Sequence, residues 1–175
     1  MTPHISTLTP AGALGAAAAW PDEREALLGR LLWHIHTPYA QAFVATANEA
    51  VLGIGCCIVH ATSGRITLLR AQDDASRTAL AAALVAHLET AGATTQLITV
   101  TEEDVSFWSA LGFVAQGNLI RYTGGRFLQA TRDEVIHLEP FHRMAVMRQD
   151  KQATGEDRGT WLWEHAYLGR VYAER

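Results

Sequence analysis

The spacing of hydrophobic positions changes period several times along the chain, and each change marks an element. Ile5 to Leu8 reads as a short strand ended by Thr9-Pro10, and the alanine-rich stretch Ala11 to Trp20 as a helix closed by Pro21. A second helix opens at Asp22-Glu23, where carboxylates meet the positive end of the helix dipole. It carries Leu27, Leu28, Leu31, Leu32 and Ile35 at helical spacing and stops at Thr37-Pro38. Three strand runs follow: Gln41 to Ala47, Val51 to Ala61 and Ile66 to Leu69. Their turns, Asn48-Glu49 and Thr62-Ser63-Gly64, are short enough to predict an antiparallel meander. From Asp73 to Thr90 the period is helical again, with Leu80, Leu84, Val85 and Leu88 on one face and Gly92 as the stop. Thr94 to Val100 reads as a strand and Glu102 to Leu111 as a helix ended by Gly112. Phe113 to Tyr122 reads as a strand broken near Gly117.

The predicted order is β-α-α-β-β-β-α-β-α-β, a mixed α/β layout with a mostly antiparallel sheet flanked by helices. Gly124-Gly125 marks a boundary, giving a first domain over 1–125 and a second segment over 126–175. In that segment the pattern begins again. Val135 to Leu138 is followed by Glu139-Pro140, Phe141 to Arg148 is helical, and Gly155-Glu156-Asp157-Arg158 opens another helix. Gly169 to Ala173 reads as a strand. The segment therefore reads as a partial second copy of the opening β-α-α-β unit. Such a piece cannot bury its apolar helix faces alone, which predicts packing on the first domain or on a second chain as a homodimer.

Composition narrows the function classes. Hydrophobic residues make up 49% of the chain and charged residues 18%, as in a compact globular protein. The net charge of −4 comes with no basic stripe, so no nucleic-acid partner is expected. Met1 to Pro10 has neither a basic start nor a long apolar core, and the alanine run Ala16 to Ala19 is too short to span a bilayer. No membrane association and a cytoplasmic location are the expectation. Neighbouring strand residues face opposite sides, so Cys56-Cys57 read as two buried thiols and not a metal pair. His34 and His36, two apart on a helix, read as surface histidines near its end, and no metal site is expected.

Two local sequences carry a family resemblance. Phe107-Trp108-Ser109-Ala110-Leu111-Gly112-Phe113 resembles the F-Y-x-x-L-G-F signature of the GNAT superfamily of acetyl-CoA-dependent N-acetyltransferases, and the element order from Ile5 to Tyr122 is similar to that fold. Gln72-Asp73-Asp74-Ala75-Ser76-Arg77 lies where the family has Q/R-x-x-G-x-G/A, a turn whose backbone N–H groups and helix dipole hold the coenzyme pyrophosphate. The resemblance implies acetyl-CoA as donor and a primary amine as acceptor. It implies that Leu68, Leu69, Gln72, Asp73, Asp74, Ala75, Ser76, Arg77 and Phe107 contact the coenzyme. The segment from Met147 to Arg158 resembles the first-helix segment of tandem GNAT proteins.

The departures from that pattern are specific. Ala75 and Arg77 stand at the two glycine positions, and Asp73 and Asp74 at positions usually basic or glycine. A carboxylate about 5 Å from a phosphate charge, at an effective dielectric near 20, costs roughly 3 kcal/mol, against about 8 kcal/mol for micromolar binding. One of Asp73, Asp74 or Ser76 is also suited to cap the following helix and so to occupy the donors pyrophosphate would need. Trp108 occupies the place of the family's proton-donating tyrosine, and an indole is too weak an acid for that work. Tyr122 and Tyr39 are alternative acids, and His60, late in a long strand, is the candidate base. Glu102-Glu103-Asp104 reads as a helix start, and Trp161, Trp163, His165 and Tyr167 as cover for a core or interface. Three functions stay open on the sequence: an acetyltransferase with a degenerate coenzyme loop, an inactive GNAT-fold module for binding or dimerisation, or an unrelated small-molecule-binding α/β domain.

Overall fold

The strand runs of the first half join into one five-stranded sheet. Its spatial order is β1 (His4–Thr7), β2 (Ala40–Ala47), β3 (Ala50–His60), β4 (Ser63–Ala71) and β5 (Thr95–Ile98). The first four strands run antiparallel, as their short turns require, whereas β5 lies parallel to β4. A parallel neighbour needs a long crossover, and α3 (Asp74–Thr90) supplies it. The protein is described by a computed structural model over residues 2–118, 135–155, 157–164 and 170–172, in two units, Met1–Thr99 and Val100–Arg175.

Helices cover both faces of the sheet. On one face, α1 (Pro10–Ala18) offers Ala13, Ala16 and Ala17, and α2 (Arg24–His36) offers Leu27 and Leu31. They meet Ala42, Val44, Ile54, Cys56 and Leu68 in one buried cluster. The alanines on α1 have a steric use, since small side chains let a helix lie close to a sheet. On the other face, α3 buries Leu80, Leu84 and Leu88. It approaches so near that a Cβ on Gly55 would stand 2.9 Å from the Leu84 side chain, and one on Gly53 2.5 Å from that of Leu80. Burial pushes the Cys56 and Cys57 thiols up to about 12, so both are inert packing groups at neutral pH.

Three sequence expectations are corrected. The turn between β3 and β4 is Ala61-Thr62, not Thr62-Ser63-Gly64; His60 pairs with Ser63, and Ala61 takes a left-handed φ of 48°. A two-residue loop with positive φ matches the twist of the strands it joins, so β4 starts earlier than its apolar residues suggest. Residues 113–118 form no strand, and 119–122 of that expected strand lie outside the described residues. Gly155 ends a helix with φ 78° where a helix start was expected.

That helix belongs to the second unit. The unit contains α4 (Val105–Ala110), preceded by a 3₁₀ turn at Glu102–Asp104, then β6 (Val135–His137), α5 (Arg143–Thr154), α6 (Gly159–Glu164) and β7 (Arg170–Tyr172). β6 and β7 pair antiparallel, just as β1 and β2 pair across α1 and α2. Arg158 grips Asp150 of α5 through both Nε, at 3.0 Å, and its terminal nitrogen. Its guanidinium also lies 5.5 Å from the Trp161 ring, while Arg143 lies 5.3 Å from Trp163. Trp161 and Trp163 thus cover arginines within this unit.

Gly55→Val inserts a branched side chain against Leu84 and is expected to destabilise the fold by about 1–3 kcal/mol. A urea midpoint unchanged from wild type would show that α3 is not held to the sheet at this point.

Candidate functional site

β4 is shared unequally. Its parallel pairing with β5 runs from Ser63↔Thr95 to Ile66↔Ile98 and ends there, yet β4 continues to Ala71. Among the described residues no strand takes that edge from Thr67 to Ala71. The parting coincides with a β-bulge: Cys56 faces Leu68 and Cys57 faces Ile66, which leaves Thr67 without an opposite residue on β3. The stretch of the β4 edge left by β5 therefore begins at Thr67. Gly53 and Gly55 serve the approach of α3.

The bulge is gripped from α2. His34, expected on the surface, is 3% exposed. Its Nδ1 lies 2.8 Å from the Arg30 carbonyl and its Nε2 2.8 Å from Thr67 Oγ1. A carbonyl only accepts, so Nδ1 carries the hydrogen and the bare Nε2 accepts the Thr67 hydroxyl. Cys56 O, 3.2 Å away, is the more distant acceptor for the same hydroxyl. Arg30 donates a terminal nitrogen to the Thr67 carbonyl. Burial lowers the His34 pKa from its ordinary value, outweighing the opposing hydrogen bond to the Arg30 carbonyl, and the ring is neutral near pH 7. Sequence reading missed this trio, although Leu27, Leu31 and His34 share one helical face and the leucines had already marked that face as buried.

Where β4 ends, the turn into α3 caps itself. Asp73 is the N-cap residue: one carboxylate oxygen accepts the Ser76 N–H at 2.8 Å and the other accepts the Ser76 hydroxyl at 3.0 Å. Those bonds hold the Asp73 pKa below the usual carboxylate range. Ser76 is fully buried, so its hydroxyl faces inward to Asp73. Gln72 binds back to β3, its N–H to Leu52 O at 2.8 Å and its side-chain amide to Val51 O at 3.2 Å. Arg77 donates its N–H to Asp73 O at 3.0 Å, in the first turn of the helix. Of the three candidate caps, the structure selects Asp73.

The remaining candidates are dispersed. Leu68 is turned into the α1/α2 core, which leaves only its backbone for a ligand, while Leu69 is half-buried. His60 stands at the other end of the β3–β4 pair, seven residues along β3 from Gly53, the partner of Ala71. That is roughly 23 Å at about 3.3 Å per residue. Its ring lies 4.5 Å from that of Tyr39. In the second unit, Trp108 is 3% exposed and boxed edge-on by Phe107 and Phe113, each with its centroid 5.2 Å away. That is the environment of a packing residue. Tyr122, His165 and Tyr167 lie outside the described residues. Among the described residues no group of three His, Cys, Asp or Glu could hold a metal ion, and no helix is long and apolar enough to cross a membrane.

No family model matches the chain, and no curated protein matches its sequence. Solved structures do match its shape. An acetyltransferase of Trypanosoma brucei superposes with a TM-score of 0.59 at 13% identity, covering 69% of this chain and 99% of that one. An aminoglycoside N-acetyltransferase solved in complex with CoA gives 0.58 at 14% identity, over 71% and 97%. The fold is that of the GNAT acetyltransferases. A transcriptional regulator from Bacillus halodurans matches at 0.58 and 12% identity, over 70% of this chain and 99% of that one. The GNAT fold therefore leaves the chemistry to be argued from the site.

His34 sets a pH dependence of stability. Its folded pKa lies below the unfolded value of about 6.5, so the unfolded chain binds the proton more readily. The His34 contribution is complete above about pH 6.5 and declines as the pH falls below it. His87, its pKa also lowered by burial, acts in the same direction. Denaturant midpoints between pH 7.5 and 5 are expected to fall, with a shallower slope in His34→Leu; an equal slope in that variant would exclude His34 as a source.

Proposed function

We propose that the protein transfers an acetyl group from acetyl-CoA to a primary amine, with the donor laid along the open edge of β4. The observation that carries this reading is the parting of β4 from β5 after Ile66, which presents Thr67 to Ala71 and leads straight to the start of α3. An extended arm bearing amide groups can pair with such an edge as an added strand would. The two solved acetyltransferases of the same shape support the donor class.

In this reading the amine nitrogen attacks the thioester carbonyl directly. A C–N bond forms, the C–S bond breaks and the amine proton leaves to solvent or a base. The leaving thiolate has a pKa near 8.5, so its departure at neutral pH does not need a protein acid. That matters because Trp108 cannot supply a proton. The pyrophosphate end of the donor meets Asp73, whose carboxylate already holds the Ser76 N–H. The donor is therefore held chiefly through its arm, with a weak contribution from the turn.

A second reading, an inactive GNAT-fold module, is favoured by that same Asp73 contact. It extends to the C-terminal segment, where the β6-α5-α6-β7 order repeats β1-α1-α2-β2 as a partial second copy. Phe141 and Met144, 77% and 73% exposed around the start of α5, are suited to contact a second chain in a homodimer.

Thermal unfolding with acetyl-CoA separates the two readings. Donor at 100 times its dissociation constant is expected to stabilise the protein by about 2.7 kcal/mol. Asp73→Asn keeps a capping side chain but removes the charge, and is expected to tighten binding about tenfold or more. No shift at millimolar acetyl-CoA, in wild type and Asp73→Asn alike, rejects the acetyltransferase reading. Sedimentation tests the dimer: Phe141→Asp with Met144→Asp is expected to yield monomers, and a wild-type monomer would exclude the interface.

A further inference from the structure

We propose that His34 and Arg30 are positioning residues, a side-chain clamp from α2 that fixes the β4 bulge at Thr67 and so sets the shape of the donor-binding edge. The inference rests on the donor site argued above, but its structural half stands without it.

A bulge leaves its extra residue outside the ladder, and the ladder around it is locally disrupted. Thr67 is that residue, and it is also the first on β4 beyond the pairing with β5. It therefore lacks the cross-strand partner that holds the rest of β4 on either side. α2 supplies the missing restraint at two points. Arg30 takes the Thr67 carbonyl, and His34, one turn later on the same helical face, takes its hydroxyl. The imidazole is itself fixed by the Arg30 carbonyl, so both rings of contact close on one helical turn. Of these groups His34 is buried among apolar neighbours, Thr67 is half-buried and Arg30 is exposed. Leu31 and Leu27 of α2 and Leu68 and Cys56 of the sheet lie in the buried cluster beside them. Breaking the His34–Thr67 bond strands a ring nitrogen of a buried residue, which costs more than losing an exposed bond such as that of Arg30. The clamp thus has one stable arrangement, and the backbone from Thr67 onward inherits it.

A packing role alone would not predict a local effect of the hydroxyl. Thr67→Val preserves the side-chain shape and removes the hydrogen bond; Thr67→Ser keeps the hydroxyl and loses a methyl. His34→Leu fills the site without ring nitrogens. Amide hydrogen exchange of the free protein by NMR, read beside acetyl-CoA titration, is the test. In His34→Leu and Thr67→Val, amides of residues 66–69 are expected to exchange about tenfold faster while those of β1 and β2 keep wild-type rates. Their Kd for acetyl-CoA is expected to rise about tenfold, and Thr67→Ser to behave as wild type in both measurements. Unchanged exchange at 66–69, or uniform acceleration across the sheet, overturns the clamp. Local acceleration with an unchanged Kd overturns its link to the donor edge. A wild-type protein that binds no acetyl-CoA defeats the donor reading alone, and the exchange pattern still decides whether the clamp exists. If His34→Leu does not fold, Thr67→Val carries the same comparison.

Discussion

The edge of a strand can be given to a neighbouring strand or to a ligand, but not to both at once. In this chain β4 divides its edge at one residue, pairing with β5 up to Ile66 and, among the described residues, with no strand from Thr67 to Ala71. Much else follows from that division. A strand that loses a neighbour needs another source of order, and α2 supplies it through Arg30 and His34. The opposite face must still be covered, so α3 lies down on Gly53 and Gly55 and brings its N-terminus to the end of the open edge. The sheet, the two helical layers and the phosphate turn are arranged around a few backbone groups that the sheet itself does not use.

The order of elements was legible because it is written locally. Leu80, Leu84 and Leu88 recur at helical spacing whatever they pack on, and all three are buried. Phe107 to Phe113 signalled the fold, and shape comparison with solved acetyltransferases agrees. What was not legible depends on partners distant in sequence. The stretch of the β4 edge left by β5 is set by where the β4–β5 register ends, a matter of two strands joined through a 17-residue helix. Gly53 and Gly55 answer to leucines of α3 that come later in the chain. His34 looked like an ordinary polar residue near a helix end, because its side-chain partner Thr67 lies 33 residues away. The turn at Ala61-Thr62 was misplaced because small and polar residues such as Ser63 and Gly64 serve a tight hairpin and the start of a strand equally well.

The departures from the family pattern differ in weight once they are seen in space. Trp108 is not an exposed group in a reaction path but a ring packed between two others. A tryptophan in place of a tyrosine there brings a larger ring into that packing and no phenolic acid. Asp73 alters the chemistry more directly, because it already holds a hydrogen bond that an incoming phosphate would seek.

That carboxylate is a competitor tied to the receptor. A free anion must meet the turn at its own concentration in solution, whereas the Asp73 side chain is always within one rotamer of it. Tethering gives a group an effective concentration in the millimolar range or above. Raising the ligand concentration modestly does not displace such a competitor; a ligand displaces it only by bringing contacts made elsewhere. For the donor proposed above, the turn would then act as a threshold, favouring a molecule long enough to hold β4 as well over a small phosphate.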